Sequence, residues 1–188
     1  MEGANNKIFK HNYEFYSKFF EYINVQEIYL DIHIPTKRGY EKIDLLLVTK
    51  KRIYMIVYKD FNGDISGSQE HVNWTQISNE NKIYEFVNPL KEVEAKRTAL
   101  GEYLELEHSI TNIIVFDEGT TFSNMEFPKG FHLTTKSDLE ELIFDFETRI
   151  KEENKYLANN NYIFFLDLYK NTSEEAKKGV TIYNDNKI

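Results

Sequence analysis

The 188-residue chain contains no cysteine, and that absence excludes several kinds of chemistry at once. Without thiols the protein has no disulfide, no cysteine nucleophile and no cysteine ligand for a metal. Intracellular proteins seldom depend on disulfides, so the composition predicts a cytoplasmic location. The sequence also lacks an apolar run of about eighteen residues and a secretion-signal pattern, and it therefore predicts no membrane span and no membrane partner.

Positive charge is also in short supply. The chain has 23 Lys and Arg against 31 Asp and Glu, which gives a formal net charge of −8. This balance argues against a strongly electrostatic nucleic-acid binder, because clustered Lys and Arg supply much of the affinity for phosphate. It leaves room for an enzyme that acts on DNA through one basic groove. The densest basic segment comprises Lys37, Arg38 and Lys42 with Lys50, Lys51 and Arg52, although such charges more often belong to solvated turns and strand edges.

The most informative feature that is present is an apolar hairpin with one carboxylate and one lysine. If Lys50 and Lys51 form its turn, strand pairing places Asp44 opposite Val57. Because side chains alternate along a strand, Val57 and Lys59 then share a face, and Lys59 is a diagonal neighbour of Asp44, about 7–8 Å away. Both faces of the hairpin are apolar, which predicts a place inside a covered α/β sheet. Lys-Lys is poor chemistry for a tight turn, so the register stays open.

The carboxylate of Asp44 has two interpretations. A buried carboxylate needs an ion partner or hydrogen bonds, and Lys59 or Lys42 could supply a purely structural ion pair. Alternatively, Asp44 holds a metal ion and Lys59 offsets charge on a phosphate. Spacing alone favours the structural interpretation without excluding the other.

The remaining periodicity predicts helices and strands in alternation. A helix is expected over residues 13–24 and a strand over 26–34, and Asn88-Pro89 opens a second helix. Asn62-Gly63-Asp64 and Gly67 indicate turns or breaks. Further strands are expected over Val72–Ile77, Ile83–Val87, Ile113–Phe116 and Phe131–Thr134. A capping box that begins at residue 137 opens a last helix, which is expected over residues 139–150. This order predicts an α/β fold with a mixed central β-sheet flanked by helices.

These residues together resemble the nuclease-related domain (NERD) family of the PD-(D/E)xK nuclease superfamily. The resemblance rests on an ordered set of motifs: Glu14 in the first helix, Ile43-Asp44, Ile56-Val57-Tyr58-Lys59, the glycines Gly63 and Gly67, Trp74 and Asn88-Pro89. It implies a restriction-endonuclease-like core over about 10–145, followed by C-terminal helices. We therefore expect a single domain over 1–170 and a loose tail over 171–188.

The resemblance also implies a site. Asp44, Lys59 and Glu14 would be its catalytic residues, and Asp44 and Glu92 would hold Mg²⁺, or Mn²⁺ in its place. The chain departs from the family pattern at three points. Val57 stands where the second acidic ligand is expected, Glu92 stands where the family usually has glutamine, and Lys50-Lys51 replaces a glycine.

Three functional hypotheses follow from the resemblance and its departures. The first is a degenerate Mg²⁺-dependent nuclease with weakened or lost phosphodiester cleavage that still binds nucleic acid or protein. The second is an active DNA endonuclease in which Glu14 or Glu92 supplies the missing acid. The third is a non-catalytic domain that contacts a protein partner or a second copy of itself. A basic groove around Asp44 would favour the first two, and an apolar surface patch would favour the third.

Overall fold

A computed structural model describes residues 25–36, 39–104, 110–150, 163 and 166, and within them the chain forms nine strands and two helices. Their bounds in chain order are β1 Val25–Thr36, β2 Gly39–Thr49, β3 Ile53–Lys59, β4 Asp64–Ser68, β5 Asn73–Ile77, β6 Ile83–Val87, α1 Pro89–Leu104, β7 Ile110–Phe116, β8 Thr121–Glu126, β9 Phe131–Thr135 and α2 Leu139–Arg149.

The centre of the protein is a mixed five-stranded sheet in the order β1-β2-β3-β7-β9. The first three strands pair antiparallel, and β3, β7 and β9 are parallel. Parallel neighbours require a crossover, and the segment between β3 and β7 supplies it with three strands and α1. The predicted α/β fold with a mixed central sheet is therefore confirmed.

The hairpin of β2 and β3 has the predicted register. Leu45 pairs with Ile56 and Val48 with Ile53, which leaves Lys50 and Lys51 in the turn. The hydroxyl of Thr49 accepts hydrogen bonds from the backbone N–H groups of Lys51 at 3.1 Å and Arg52 at 3.0 Å. A side chain thus satisfies the turn donors, which explains how the hairpin forms without the expected glycine.

A second sheet was not predicted. Its order is β6-β5-β4-β8, and it includes β4 and β8, which the sequence pattern missed. The break expected at Gly67 takes the form of a register shift between Ser66 and Ser68, and β4 continues through this glycine. Glycine is needed at this position because a side chain has no room: a Cβ there would lie 2.3 Å from Cδ1 of the fully buried Trp74 ring. Gly63, in contrast, has φ +90° and forms the predicted turn.

Helix α1 begins where the sequence predicts. The Asn88 side-chain oxygen accepts a hydrogen bond from the backbone N–H of Leu90 at 2.9 Å, and Pro89 occupies the first helical position. The Asn88 amide also donates to three backbone carbonyls, those of Ser68, Gln69 and His71. This fully buried residue therefore joins the helix to the end of β4.

Two apolar clusters cover the faces of the central sheet. The first includes residues of α1 and of the second sheet, and helical residues Ile163 and Leu166 pack against it. The second includes residues of α2. A hydrogen bond fixes α2 to the hairpin, because the Tyr54 hydroxyl donates to Glu147 at 2.6 Å; burial and this carboxylate raise the pKa of Tyr54 well above its usual range.

His132 gives the fold a pH dependence. Its half-buried ring lies 4.6 Å from the Phe146 ring, between centroids, where β9 meets α2. Burial and, after it, the charge of Arg52 lower the pKa of His132 below the ordinary 6.5. Between these two values the unfolded chain binds the proton more readily than the folded chain, so stability is lost as the pH falls below about 6.5.

We expect His132→Gln to weaken this loss of stability, because glutamine does not titrate. Urea unfolding of wild type and variant at a series of pH values from about 7 down to about 5 measures it. His71→Gln is the matched control, since His71 is exposed and its substitution should leave the pH dependence unchanged. If the free energy of unfolding falls with pH by the same amount in wild type and in His132→Gln, the prediction is contradicted.

Several expectations lie outside the described residues. They are the helix over 13–24 with Glu14, the basic residues Lys37 and Arg38, and the tail over 171–188. In the part of the chain that the structure describes, no helix is long and apolar enough to cross a membrane.

Candidate functional site

Asp44 lies near the middle of β2 and is 7% exposed. One carboxylate oxygen is 3.2 Å from Nζ of Lys42, and the other is 4.0 Å from Nζ of Lys96. Lys42 is two residues away on the same strand, whereas Lys96 reaches across from α1. The predicted pairing of Asp44 with Lys42 is present, and a lysine that the sequence argument did not consider is its second cation.

Glu92 lies in the first turn of α1 and contacts two lysines. Lys59, the last residue of β3, donates to one carboxylate oxygen, and Lys96, one helical turn further along α1, donates to the other at 2.8 Å. Burial tends to raise the pKa of Glu92, but these two lysines outweigh it and hold the pKa below its ordinary value. Glu92 therefore carries a negative charge at neutral pH, and the ion pair of Lys59 is with Glu92.

Val57 occupies the predicted position of the second acidic ligand. Its side chain is 1% exposed and belongs to the apolar cluster that α1 covers. It brings no oxygen to the face on which Asp44 and Lys59 lie. Val57 is thus a core residue that offers no side-chain oxygen to a metal.

We call Lys42, Asp44, Lys59, Glu92 and Lys96 the lysine–carboxylate cluster. Sequence reasoning singled out all of its members except Lys96, which is 7% exposed. A signal was available, because the buried positions of α1 follow helical spacing and a lysine stands among them. A lysine on the inward side of a helix needs an anionic partner, and here it has two.

The cluster as it stands does not fit a divalent cation. Mg²⁺ in proteins is held by one or two carboxylates with water and substrate oxygens. Here both carboxylates contact ammonium groups, and the three lysines outnumber them. Among the described residues, no group of three or more His, Cys, Asp or Glu could hold a metal ion. The predicted metal ligands are therefore near each other but are occupied by lysine.

A second polar cluster lies where the parallel strands β3, β7 and β9 end. Asp117, directly after β7, accepts hydrogen bonds from the Tyr58 hydroxyl and from Nζ of Lys136 at 2.6 Å. Burial tends to raise the pKa of Asp117, but Lys136 and Tyr58 bring it below its usual value, whereas the hydrogen bond with Asp117 raises the pKa of Asp60. Sequence reasoning missed this cluster, although each of Asp60, Asp117 and Lys136 directly follows a parallel strand.

The surface also carries exposed apolar residues next to and on β6. Val72, Ile83 and Val87 are 69%, 69% and 71% exposed. Within the described residues β6 is an end strand of the second sheet, which pairs only with β5. Apolar side chains at such a position are the feature that would favour a protein contact.

Comparison with known proteins gives one match. The sequence model of the nuclease-related domain (NERD) matches residues 10–117, more than half of the chain. No curated protein and no solved structure matches. The matched segment includes the hairpin and the first turns of α1, and thus every member of the lysine–carboxylate cluster.

Proposed function

This chain belongs to the nuclease-related domain family, and we propose that it is a degenerate Mg²⁺-dependent nuclease whose phosphodiester cleavage is weakened or lost, and which still binds nucleic acid. The observation that carries the proposal is the lysine–carboxylate cluster. A cytoplasmic location and a single domain over residues 1–170 are part of the proposal; the packing of Ile163 and Leu166 on the core supports the latter.

Two features support the loss of cleavage. A metal in such a site would activate water and stabilise charge on the phosphate, which requires free carboxylate oxygens. Val57 supplies none, and the carboxylates of Asp44 and Glu92 are each paired with two lysines. Since a divalent cation would have to displace an ammonium group from these oxygens, we derive no metal-dependent step for this chain.

Two members of the cluster support retained binding of nucleic acid. The side chains of Lys42 and Lys59 are 39% and 20% exposed, so solvent and a phosphate can reach them. The cluster has more positive than negative charge, in contrast to the chain as a whole. Phosphate groups bind such a local excess of lysine independently of base sequence.

We expect the double substitution Lys42→Gln, Lys59→Gln to weaken binding of a labelled DNA duplex. The loss should be similar for unrelated sequences, and the salt dependence of log K should fall by about one unit per lost phosphate contact. Fluorescence anisotropy at several salt concentrations measures both. Lys82→Gln is the control, because Lys82 is 61% exposed, pairs with Glu80 and lies outside the cluster. An unchanged affinity in the double variant would contradict the proposal.

An active DNA endonuclease is the second candidate function, and the position of Glu92 favours it. Glu92 contacts Lys59 and shares Lys96 with Asp44, so its carboxylate lies beside the residues that the family uses. If Glu92 supplies the missing acid, then Glu92→Gln should abolish Mg²⁺-dependent nicking of plasmid DNA. Cleavage that survives Glu92→Gln but is lost in Glu14→Gln would assign the role to Glu14 instead.

A protein-interaction domain is the third candidate, and the exposed residues Val72, Ile83 and Val87 favour it. If a second copy of the chain covers them, sedimentation should show a dimer. The variant Ile83→Lys should then be monomeric, since a charge at the contact opposes association. A wild-type monomer would leave this surface to a different protein partner.

A further inference from the structure

We infer that the Lys96 ammonium takes the place of a divalent cation between Asp44 and Glu92, so that the chain carries a latent metal site which its own lysine keeps filled. The inference deepens the proposed function and rests on it, because it names the residue that makes the family's site unable to accept metal. It concerns Lys96, which no sequence motif of the family resemblance includes.

The position of Lys96 distinguishes it from the other two lysines. Its Nζ is 2.8 Å from one oxygen of Glu92 and 4.0 Å from one oxygen of Asp44, so two carboxylates from different elements approach the same ammonium. The described ion pair of Lys42 is to Asp44, and that of Lys59 is to Glu92. Only Lys96, among these described residues, is shared by both carboxylates.

Burial also sets Lys96 apart. Its side chain is 9% exposed, against 39% for Lys42 and 20% for Lys59. A buried ammonium without anionic partners is strongly unfavourable, and so is the buried carboxylate of Asp44 without a cation. Lys96 therefore serves the two carboxylates as a metal would, by neutralising them, but it offers no open position for water or phosphate.

The Lys96 ammonium and a divalent cation exclude each other from the space between Asp44 and Glu92. Mg²⁺ binds carboxylate oxygens at about 2.0–2.1 Å, so an ion held by both Asp44 and Glu92 would have to enter the space that the Lys96 ammonium now fills. An ammonium left next to the metal would also repel it in surroundings of low dielectric constant. Removal of the Lys96 ammonium leaves Asp44 paired with Lys42 and Glu92 paired with Lys59. The carboxylate oxygens that faced Lys96 then become free to bind a metal.

The test is calorimetric titration of Mn²⁺ into the full chain without nucleic acid. We expect no saturable binding in wild type and a single saturable site in Lys96→Met over the same range of Mn²⁺ concentration. Adding Asp44→Asn to Lys96→Met should remove the new site. Lys91→Met, at an exposed position of the same helix, should behave as wild type.

Two measurements keep the test decisive if Lys96→Met is unstable. Lys96→Gln removes the charge but keeps an amide that can donate to Glu92, and it should also gain Mn²⁺ affinity. Mn²⁺ should raise the melting temperature of either Lys96 variant, and leave that of wild type unchanged. The inference is overturned if the Lys96 variants gain neither Mn²⁺ affinity nor a Mn²⁺-dependent rise in melting temperature. It is also overturned if wild type binds Mn²⁺ at a site that Asp44→Asn abolishes. Cleavage of DNA by wild type would instead overturn the proposed function, and it is measured separately.

Discussion

Replacing Asn88 with alanine is expected to lower the free energy of unfolding by about 3 kcal/mol, from a lost helix cap of about 1 kcal/mol and carbonyls left without a partner at about 1–3 kcal/mol. Asn88 is fully buried, and its side-chain oxygen caps α1 at the N–H of Leu90. Its side-chain amide donates hydrogen bonds to the carbonyls of Ser68, Gln69 and His71. Alanine can satisfy none of these four groups, although the Ser68 carbonyl keeps the Trp74 Nε1–H as a donor.

Two variants make the Asn88 result specific. Asn88→Asp keeps an oxygen at the helix N-terminus but loses the amide donor, so its stability should lie between that of wild type and Asn88→Ala. Asn73→Ala is the control, because Asn73 is exposed and its substitution should change stability by no more than about 0.5 kcal/mol. Urea unfolding measures all three. A loss below about 1 kcal/mol in Asn88→Ala would contradict the role of Asn88 as the joint between helix and sheet.

Gly67→Ala is expected to destabilise the protein by about 2–3 kcal/mol through overpacking. The added Cβ would lie 2.3 Å from Cδ1 and 2.5 Å from Cγ of Trp74. The indole cannot move away cheaply, since it is fully buried and its Nε1–H donates to the carbonyl of Ser68 at 3.0 Å. Either the strand or the ring must shift, and both belong to the core of the second sheet.

A double-mutant cycle tests this cause directly. Trp74→Leu alone should be destabilising because it empties the core, but Gly67→Ala should cost much less in a Trp74→Leu background, where the clash is absent. Ser66→Ala, one residue earlier on β4, should have a small effect. If the losses in free energy of unfolding from the two substitutions are additive in the double variant, contact with the Trp74 ring is not what requires glycine at residue 67.

These two predictions concern residues that also carry the family resemblance. Trp74 and Asn88 both donate to the Ser68 carbonyl, and Gly67 makes room for the Trp74 ring. The glycine, the tryptophan and the Asn-Pro pair therefore form one structural joint between β4, β5 and α1. This part of the family pattern therefore reflects packing and hydrogen bonding within the fold.

The hairpin could be predicted from the sequence because two nearly continuous apolar runs are separated by a short charged segment. That pattern was enough to set the register, in which Leu45 pairs with Ile56 and Val48 with Ile53. The second sheet could not be predicted in the same way. Strand β4 contains a glycine because the Trp74 ring of the neighbouring strand β5 lies too close for a side chain, and such a contact between strands leaves no signal in the periodicity.

The candidate site was predicted only in part for a similar reason. The family resemblance suggested that Glu92 could lie near Asp44, and the structure links the two through Lys96. The decisive residue, Lys96, is ordinary in a list of helix residues, and its importance depends on which side of α1 faces β2. The cluster around Asp117 likewise depends on strand order in the sheet, which periodicity does not determine.

The most direct test of the central claim is a plasmid-nicking assay with purified wild type and Asp44→Ala in the presence of Mg²⁺ and, separately, Mn²⁺. If lysines have replaced metal in the lysine–carboxylate cluster, the two proteins should show the same background conversion of supercoiled to nicked DNA. Circular dichroism should first establish that both samples are folded. Metal-dependent nicking by wild type that disappears in Asp44→Ala would contradict the account and identify this chain as a working nuclease.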